Sequence, residues 1–480
     1  MDALLIVAII LLVCVISSKV LYKFGIPTLI IFLALGMFMG SDGPGGIYFD
    51  DPIIARELCN IGLLFIIFSG GFGTNWETAK PVTFPATLLA TIGVVLTAFT
   101  LGAFSHYILG FPWIYGLLLG SIISSTDAAA VFSILRSKKL NLKNGLAPML
   151  EMESGSNDPM AYMLTTIFLG LITGEAHNIW ILLANQIVIG ALVGFIIGKG
   201  AVWFINHINL DIDGLYSITA IALVLLSYSS ADILSGNGFL AVYITGLIMG
   251  NSRLVHKTSL VRYFDGLSWL MQIFLFFTLG LLVFPSILKN IVLPGVGVAL
   301  FIIFVARPLA VFPILAVFKR TKEEILLVSW VGFRGAASIV FATYPLTKGI
   351  MLGEEIFNIV FFVGLLSVLI QGTLLVPIAK KLDLVEDEGT VLKTFTDYSG
   401  EIYSELLELK IPVSSPFVGK AIIDINLPKD VSFVLVRRNG RMITPRGTTV
   451  IEAGDMVMMA GDPKMLLKIE DEAIQKKKKN

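Results

Sequence analysis

Residues 151–160 read EMESGSNDPM and place three carboxylates inside an apolar run that extends from about residue 145 to residue 173. A charged side chain at the centre of a membrane-spanning helix costs about 3 kcal/mol even on a lenient insertion scale, so such an acid marks a functional site by default. At about 100° per residue, the polar side chains of this run share one arc of roughly 140°; they are Glu153, Ser154, Asn157 and Asp158. The stretch predicts a spanning helix with one polar face.

Pro159 follows Asp158 and lacks the N–H group that would bond to the carbonyl of Gly155. That oxygen is free beside the Asp158 carboxylate, and the side chains of Ser154 and Asn157 add neutral oxygens. Together these groups can hold a desolvated monovalent cation or a proton. Competition of the two for Asp158 is a mechanism of exchange. The alternative is a structural acid whose hydrogen bonds only join helices.

The composition is that of a polytopic membrane protein. Of 480 residues, 56% are hydrophobic and only 15% are charged, and the mean hydropathy is +0.85. The formal net charge is zero, so nothing favours a nucleic-acid partner. The sequence contains no metal-ligand spacing, Walker loop or serine-histidine-acid pattern, which predicts a protein that is not an enzyme and needs no cofactor. A potassium-channel filter motif is also missing, which counts against a pore.

Apolar runs near the length of about 20 residues that spans a bilayer recur along residues 1–381. We count about thirteen, or twelve if the two shortest are not full spans. The excess of Lys and Arg in alternate loops puts the N-terminus outside and everything after Lys381 in the cytoplasm. The runs are roughly 3–18, 25–40, 55–73, 82–108, 112–135, 145–173, 178–205, 214–231, 236–251, 266–285, 291–318, 323–346 and 354–379.

Two motifs indicate an internal repeat. Residues 125–132 (STDAAAVF) lie in the fifth run and residues 333–341 (FRGAASIVF) in the twelfth. An odd offset inverts the second copy, as in secondary transporters whose interrupted helices cross at the membrane midplane. Four ionisable residues near the middle of their runs then belong to one site; they are Asp127, Asp158, Arg307 and Arg334.

The interrupted helices assign roles to the charges beside them. Asp127 can stabilise the positive N-terminal end of a half-helix while Thr126 faces the ion, although Asp127 as a simple helix cap is the alternative. By the same logic Arg334 complements a negative C-terminal end. Arg334 also needs a carboxylate partner because Arg stays charged, and Glu153 is the natural candidate. For this pair a structural role is favoured over cation binding.

Two further charged residues have open roles. Arg307, which precedes Pro308, is a second buried cation. Glu151 lies about two turns from Asp158 toward the cytoplasm, where it lines the access path or simply lies in a helix interface.

The composition changes after Lys381, which predicts a linker over 382–399 and a small soluble α+β domain over 400–472. Asn439-Gly440 predicts a hairpin between strands near 432–436 and 442–444. Residues 453–461 predict a turn and a buried strand, and residues 463–470 a closing helix. The basic tail, 473–480, is solvated or weakly attracted to anionic membrane lipid.

Three motifs together resemble the monovalent cation/proton antiporter family of the NhaP type, over the whole membrane part of the chain. They are residues 124–127 (SSTD), 153–159 (ESGSNDP) and 332–336 (GFRGA). The resemblance implies a bacterial inner-membrane homodimer whose protomer has thirteen helices in inverted repeats. It also implies unwound helices that cross at Asp127 and Arg334.

The resemblance further implies roles for single residues. Asp158 is expected to bind both the cation and the proton, and Thr126 and Ser154 are expected to help coordinate the cation. Glu153 is expected to pair with Arg334.

Two positions bear on stoichiometry and selectivity. Asn157 stands where electrogenic relatives carry a second Asp, which implies electroneutral one-for-one exchange. Ser69 stands where some members place an acid, so a hydroxyl replaces the third acidic contribution to the ion site.

The second unit resembles another family. Residues 415–428 (SPFVGKAIIDINLP) and the strand after Gly454-Asp455 are similar to the TrkA-type C-terminal domain of potassium transport regulators. This resemblance implies potassium as the substrate and regulation by a cytoplasmic ligand such as a nucleotide. The sequence as a whole therefore predicts a potassium/proton antiporter working by alternating access around Asp158. The alternatives are a sodium/proton antiporter, a gated cation channel and a sensor that does not transport.

Overall fold

The chain forms two compact units, Met1–Phe395 and Thr396–Asn480. The computed structural model describes residues 3–22, 28–138, 140–175, 178–387, 405–425, 427–428, 431–438, 441–461, 465–466, 468–469 and 473. Three residues of the predicted linker, Val385–Asp387, form a strand that belongs to the first unit. The rest of that linker from 388, the hairpin residues 439–440 and the tail from 474 lie outside the described residues.

The first unit is almost entirely helical. The helices are α1 (Ala3–Tyr22), α2 (Leu29–Met39), α3 (Pro52–Gly73), α4 (Trp76–Ala79), α5 (Thr83–Leu88), α6 (Val94–Leu109), α7 (Trp113–Ile123), α8 (Ala128–Ser137), α9 (Leu146–Thr173), α10 (Ile179–His207), α11 (Asp213–Ile233), α12 (Gly238–Gly250), α13 (Lys257–Leu281), α14 (Pro285–Phe301), α15 (Arg307–Val317), α16 (Lys322–Trp330), α17 (Ala336–Thr347) and α18 (Gly353–Lys381). A short strand, β1 (Leu140–Leu142), separates α8 from α9 and pairs with β2 (Val385–Asp387).

Eight helical runs in the described residues are long and apolar enough to cross a membrane, and four shorter helices are also apolar. Each predicted apolar run contains a helix or a pair of helices, and the count of thirteen spans stays a prediction. Several helices begin before their apolar runs, and the largest difference is at α13. Helix α13 begins at Lys257, about nine residues before the apolar run, because its first turns carry polar residues that a hydropathy criterion leaves out.

Irregular turns recur in the pattern expected of an internal repeat. A π-helical turn at Leu89–Gly93 lies between α5 and α6, and a second one at Ile302–Ala306 lies between α14 and α15. The next run in each case is broken into two half-helices, α7 and α8 or α16 and α17. Such wide turns and breaks are concentrated at functional sites.

Glycines let some helices approach more closely than side chains would allow. A Cβ on Gly36 of α2 would lie 2.3 Å from the carbonyl oxygen of Phe277, and one on Gly280 of α13 would lie 2.3 Å from that of Leu33. Close backbone contact replaces hydrophobic driving force where helices associate in lipid. The pair of glycines therefore fixes α2 against α13.

The second unit contains a four-stranded antiparallel sheet in the order β3-β6-β4-β5. Its strands are β3 (Glu405–Lys410), β4 (Val431–Arg438), β5 (Arg441–Ile443) and β6 (Met456–Gly461). Strands β4 and β5 pair directly across the predicted hairpin, with Arg438 opposite Arg441. The buried core includes Val436, Val457 and Met459. The described residues of the predicted closing helix, 465–466 and 468–469, are helical.

One buried ion pair ties β4 to the turn before β6. Arg438 donates from Nε to Asp455 Oδ1 and from Nη2 to Asp455 Oδ2, both at 2.8 Å, and the Asp455 side chain is only 1% exposed. Glu452 N–H donates to the same carboxylate at 2.9 Å. Hydrogen bonding from Arg438 lowers the pKa of Asp455 below its ordinary value. The stabilisation is therefore present at neutral pH and is lost as the pH falls through the lowered pKa.

We expect Asp455→Asn to destabilise the second unit by about 1–3 kcal/mol, because Arg438 would lose a charged, bidentate partner. Hydrogen exchange of the β6 amides in the full-length protein at pH 7 measures this as faster exchange. Glu452→Gln is the matched control, since the Glu452 side chain is 58% exposed. Equal protection of β6 in Asp455→Asn and the unmodified chain would contradict the assigned role.

Candidate ion site

The first crossing segment is the break between α7 and α8, residues 124–127. Asp127 has an extended backbone, and its carboxylate accepts a hydrogen bond from Ala130 N–H at 3.2 Å, at the N-terminus of α8. Asp127 N–H donates to Phe333 O at 2.8 Å, which joins the two crossing segments directly. The structure therefore places Asp127 as a helix cap at the crossing point.

The second crossing segment, residues 331–335 between α16 and α17, carries Arg334. This side chain is 2% exposed, and its Nη1 atom donates to three backbone carbonyls at 2.7–2.8 Å, those of Ile123, Ser124 and Ser125. These carbonyls form the C-terminal end of α7 and have no partners within that helix. Arg334 thus complements a negative helix end, as predicted.

The predicted partner of Arg334 was wrong. Glu153 Oε1 lies 2.6 Å from Nη2 of Arg307, and both side chains are almost fully buried. Arg307 reaches Glu153 because it packs against Gly332, where a Cβ would lie only 2.9 Å from its Nε atom. The backbone carbonyls of α7 engage Arg334, so the carboxylate neutralises the other guanidinium. Removing one member of such a buried pair leaves the other charge buried without a partner, which is strongly destabilising.

Helix α9 is fastened to the first crossing segment by two side chains. Ser154 Oγ donates to Thr126 O at 2.8 Å and accepts from Ala128 N–H at 3.0 Å. Asn157 Nδ2 donates to Thr126 Oγ1 at 2.6 Å, while its Oδ1 accepts from Thr126 N–H at 3.4 Å. Three predicted site residues, Thr126, Ser154 and Asn157, therefore form one network with the unwound backbone.

Asp158 lies at the edge of this network and is partly exposed. Ser125 Oγ donates a short hydrogen bond to Asp158 Oδ1. Ser125 was not singled out as a site residue, although its place beside Thr126 in the SSTD motif was a usable signal. The structure thus brings Asp158 and the unwound segment of the other helix together.

A partly exposed stripe runs along α9 through Glu151, Ser154, Asp158 and Tyr162. Glu151 lies toward the end of the bundle that carries Lys138, Lys143 and Arg320, which we call the basic end. Beyond Asp158, the Tyr162 ring packs against three other aromatic rings at centroid distances of 5.0–5.7 Å; they are Phe239, Phe341 and Tyr344. Aromatic rings therefore cover α9 on one side of Asp158, and partly exposed polar residues lie on the side toward the basic end.

Sequence reasoning also missed Asn237. This residue is fully buried at the N-terminus of α12, where its Oδ1 accepts from Leu240 N–H at 3.0 Å and its Nδ2 donates to Pro159 O at 2.8 Å. It fixes α9 at the residue that follows Asp158. No local motif marks an Asn that acts across helices.

Ser69 lies in α3, which packs against α9, and its side chain is partly exposed. No group of three or more His, Cys, Asp or Glu residues that could hold a metal ion occurs among the described residues.

The description "Sodium/hydrogen exchanger, transmembrane" belongs to the family whose sequence profile matches residues 7–381. The chain belongs to this exchanger family. A second profile, that of the TrkA-C domain, matches residues 406–473. Both matches follow the two units of the fold.

Named relatives of this exchanger are similar over most of its length. The K(+)/H(+) antiporter NhaP of Alkalimonas amylolytica is 37% identical over 462 residues, which cover 95% of this chain and 80% of the relative. The K(+)/H(+) antiporter NhaP2 of Shewanella oneidensis is 36% identical, with 96% and 81% covered. The Na(+)/H(+) antiporter 1 of Methanocaldococcus jannaschii is 30% identical over 69% of this chain and 80% of the relative.

A solved structure has a similar fold. The sodium proton antiporter MjNhaP1 from Methanocaldococcus jannaschii at pH 8 superposes with a TM-score of 0.69 and 28% identity, covering 80% of this chain and 99% of that one. The membrane unit of this exchanger thus has the fold of an antiporter.

We expect Gly335→Ala to disrupt the crossing point of this exchanger, because a Cβ there would lie 2.1 Å from Asp127 Oδ2 and 2.3 Å from Asp127 Cβ. Overpacking of this kind costs about 1–3 kcal/mol. The expected results are a lower unfolding temperature in detergent and a loss of cation-driven proton exchange in proteoliposomes. Gly266→Ala in α13 is the control, since nothing lies within 4 Å of its Cβ position. If both variants behaved like the unmodified chain, the close packing of Asp127 on Gly335 would not be required for stability or exchange.

Proposed function

We propose that this chain is a potassium/proton antiporter of the bacterial inner membrane, which exchanges one cation for one proton by alternating access. The observation that carries the proposal is Asp158, a partly exposed carboxylate held against a helix break in the interior of the bundle. Such an acid, deep in a spanning helix, can bind a proton or a cation but not both. The names of the two K(+)/H(+) antiporter relatives support potassium.

In this proposal Asp158 is the exchanging group, and oxygens of Thr126 and Ser154 help to coordinate the cation. Asn157 and Asp127 keep the unwound segment in place through their hydrogen bonds to Thr126 and Ala130. The charges of Glu153, Arg307 and Arg334 are already used in binding one another or the backbone. They therefore hold the site without binding the cation.

The aromatic rings packed on one side of Asp158 support an inward-open conformation, if the basic end lies in the cytoplasm as the positive-inside rule requires. Glu151 then lines the cytoplasmic access path, and the rings around Tyr162 close the outward path. The same proposal has four further parts. The N-terminus lies outside, the protein is a homodimer, Ser69 has an accessory role at the ion site, and the second unit binds a nucleotide.

Sodium is the second candidate substrate, because one named relative and the structural neighbour are sodium/proton antiporters. Proteoliposomes with an imposed pH gradient distinguish the two. We expect added potassium to dissipate the gradient at lower concentration than sodium does, and Asp158→Asn to abolish the response to both cations.

Glu175→Gln is the matched control for Asp158→Asn, since its carboxylate is 62% exposed and is paired with Lys348. A response to sodium alone would make this chain a sodium exchanger. Cation current through Asp158→Asn without proton movement would indicate a channel, and no flux in the unmodified chain would favour a sensor.

A further inference from the structure

The strand that follows the last membrane helix is paired with the loop that joins the two ion-site helices. Strand β2, just after α18, runs antiparallel to β1 with Leu140 opposite Asp387 and Leu142 opposite Val385. Strand β1 connects α8, which Asp127 caps, to α9, which carries Asp158. A segment nearly 250 residues away in sequence is thus bonded to the hinge between the two halves of the site.

Side chains reinforce this small sheet. Leu140, Leu142 and Leu384 are all buried in the hydrophobic core of the first unit. Lys143 N–H donates to Leu384 O at 3.0 Å, and the Lys143 ammonium lies 3.0 Å from Asp383. A two-stranded sheet is marginally stable by itself, so these contacts decide whether β2 stays in place.

The same loop is also bonded to the helix that leads into the second crossing segment. Asn144 Nδ2 donates to Glu324 Oε1 at 2.8 Å, and Arg320 Nη1 donates to Asn144 O at 2.9 Å. Glu324 is buried and closes the capping box at the start of α16 with Thr321. Displacement of the α8–α9 loop would therefore reach the end of α8 and the start of α16, the two helices that border the crossing segments.

Strand β2 is the last described element before the second unit, whose first strand begins at Glu405. By chain connectivity, β2 lies between the last membrane helix, α18, and the second unit. A marginal element that pairs with the loop between the two site helices on one side and leads to another unit on the other has the properties of a two-state switch.

We propose that β2 is a coupling strand through which the second unit regulates transport. When the second unit pulls β2 from β1 or lets it pair, the α8–α9 loop shifts and changes the cation affinity at Asp158. This inference rests on the proposed antiport function, and it names the route by which that function is controlled.

The ladder supplies a matched pair of variants. Lys143 N–H donates to Leu384 O, so these two residues form a hydrogen-bonded pair of the ladder. Hydrogen-bonded and non-hydrogen-bonded pairs alternate along an antiparallel ladder, so the next hydrogen-bonded pair is Asn141 and Glu386. The N–H of Val385, in the pair between them, points away from β1. Glu386→Pro removes a ladder hydrogen bond, whereas Val385→Pro introduces the same ring where no ladder bond exists.

In full-length protein in proteoliposomes, we expect Glu386→Pro to change the potassium concentration for half-maximal exchange by about fivefold or more, with the maximal rate retained. Val385→Pro should match the unmodified chain. Asp455→Asn, which loosens the second unit, should shift the same concentration in the unmodified background and have no further effect in Glu386→Pro.

Two results would overturn the coupling role: equal behaviour of the two proline variants, or a shift from Asp455→Asn that is absent or is the same in both backgrounds. If the unmodified chain shows no exchange, the proposed function fails separately. In that case, hydrogen exchange of residues 140–146 tests the coupling role. Asp455→Asn should change the protection of these amides in the unmodified background and should leave it unchanged in the Glu386→Pro background.

Discussion

Breaking a helix inside a bilayer leaves backbone groups unpaired where no water is available, and the structure of this exchanger depends on how those groups are satisfied. Arg334 donates to the three carbonyls at the end of α7, and Asp127 accepts from the start of α8. Ser154 and Asn157 bond the residue between them, Thr126. These partners satisfy several backbone groups of the unwound segment in the middle of the bundle.

This arrangement divides the buried charges into two groups. Arg334 donates its hydrogen bonds to backbone carbonyls. Glu153 and Arg307 neutralise each other, with Oε1 of Glu153 2.6 Å from Nη2 of Arg307. Asp158 is different, because it has a neutral hydroxyl partner, Ser125, and is partly exposed. In the proposed mechanism, this difference leaves Asp158 to bind a proton or a cation, while the surrounding charges keep their partners.

Hydrogen bonds across helices also connect the two site helices to distant elements. Asn237 fixes α9 just after Asp158 from one side, and the loop at Asn144 ties the other end of α9 to α16. Strand β2 adds a contact from beyond α18. The two helices that carry the candidate site are thus held at several points outside it.

The amino-acid pattern was enough to locate the helices, the breaks near Asp127 and Arg334, and the acid at Asp158. These features are local: apolar run length, proline chemistry and the cost of a charge in lipid act within a few residues. The same reasoning found the hairpin strands of the second unit, β4 and β5.

Pairing across the bundle was decided only by the tertiary structure. The sequence analysis paired Glu153 with Arg334, whereas in the structure Glu153 pairs with Arg307. A buried carboxylate needs a cationic partner, and the sequence did not show which of the two guanidinium groups lies beside it. It likewise placed Val385–Asp387 in a linker, because three residues carry no strand signal until β1 supplies the opposite edge. Asn237 was missed for the same reason: a hydrogen bond between distant segments depends on distance and direction, which residue type and spacing do not encode.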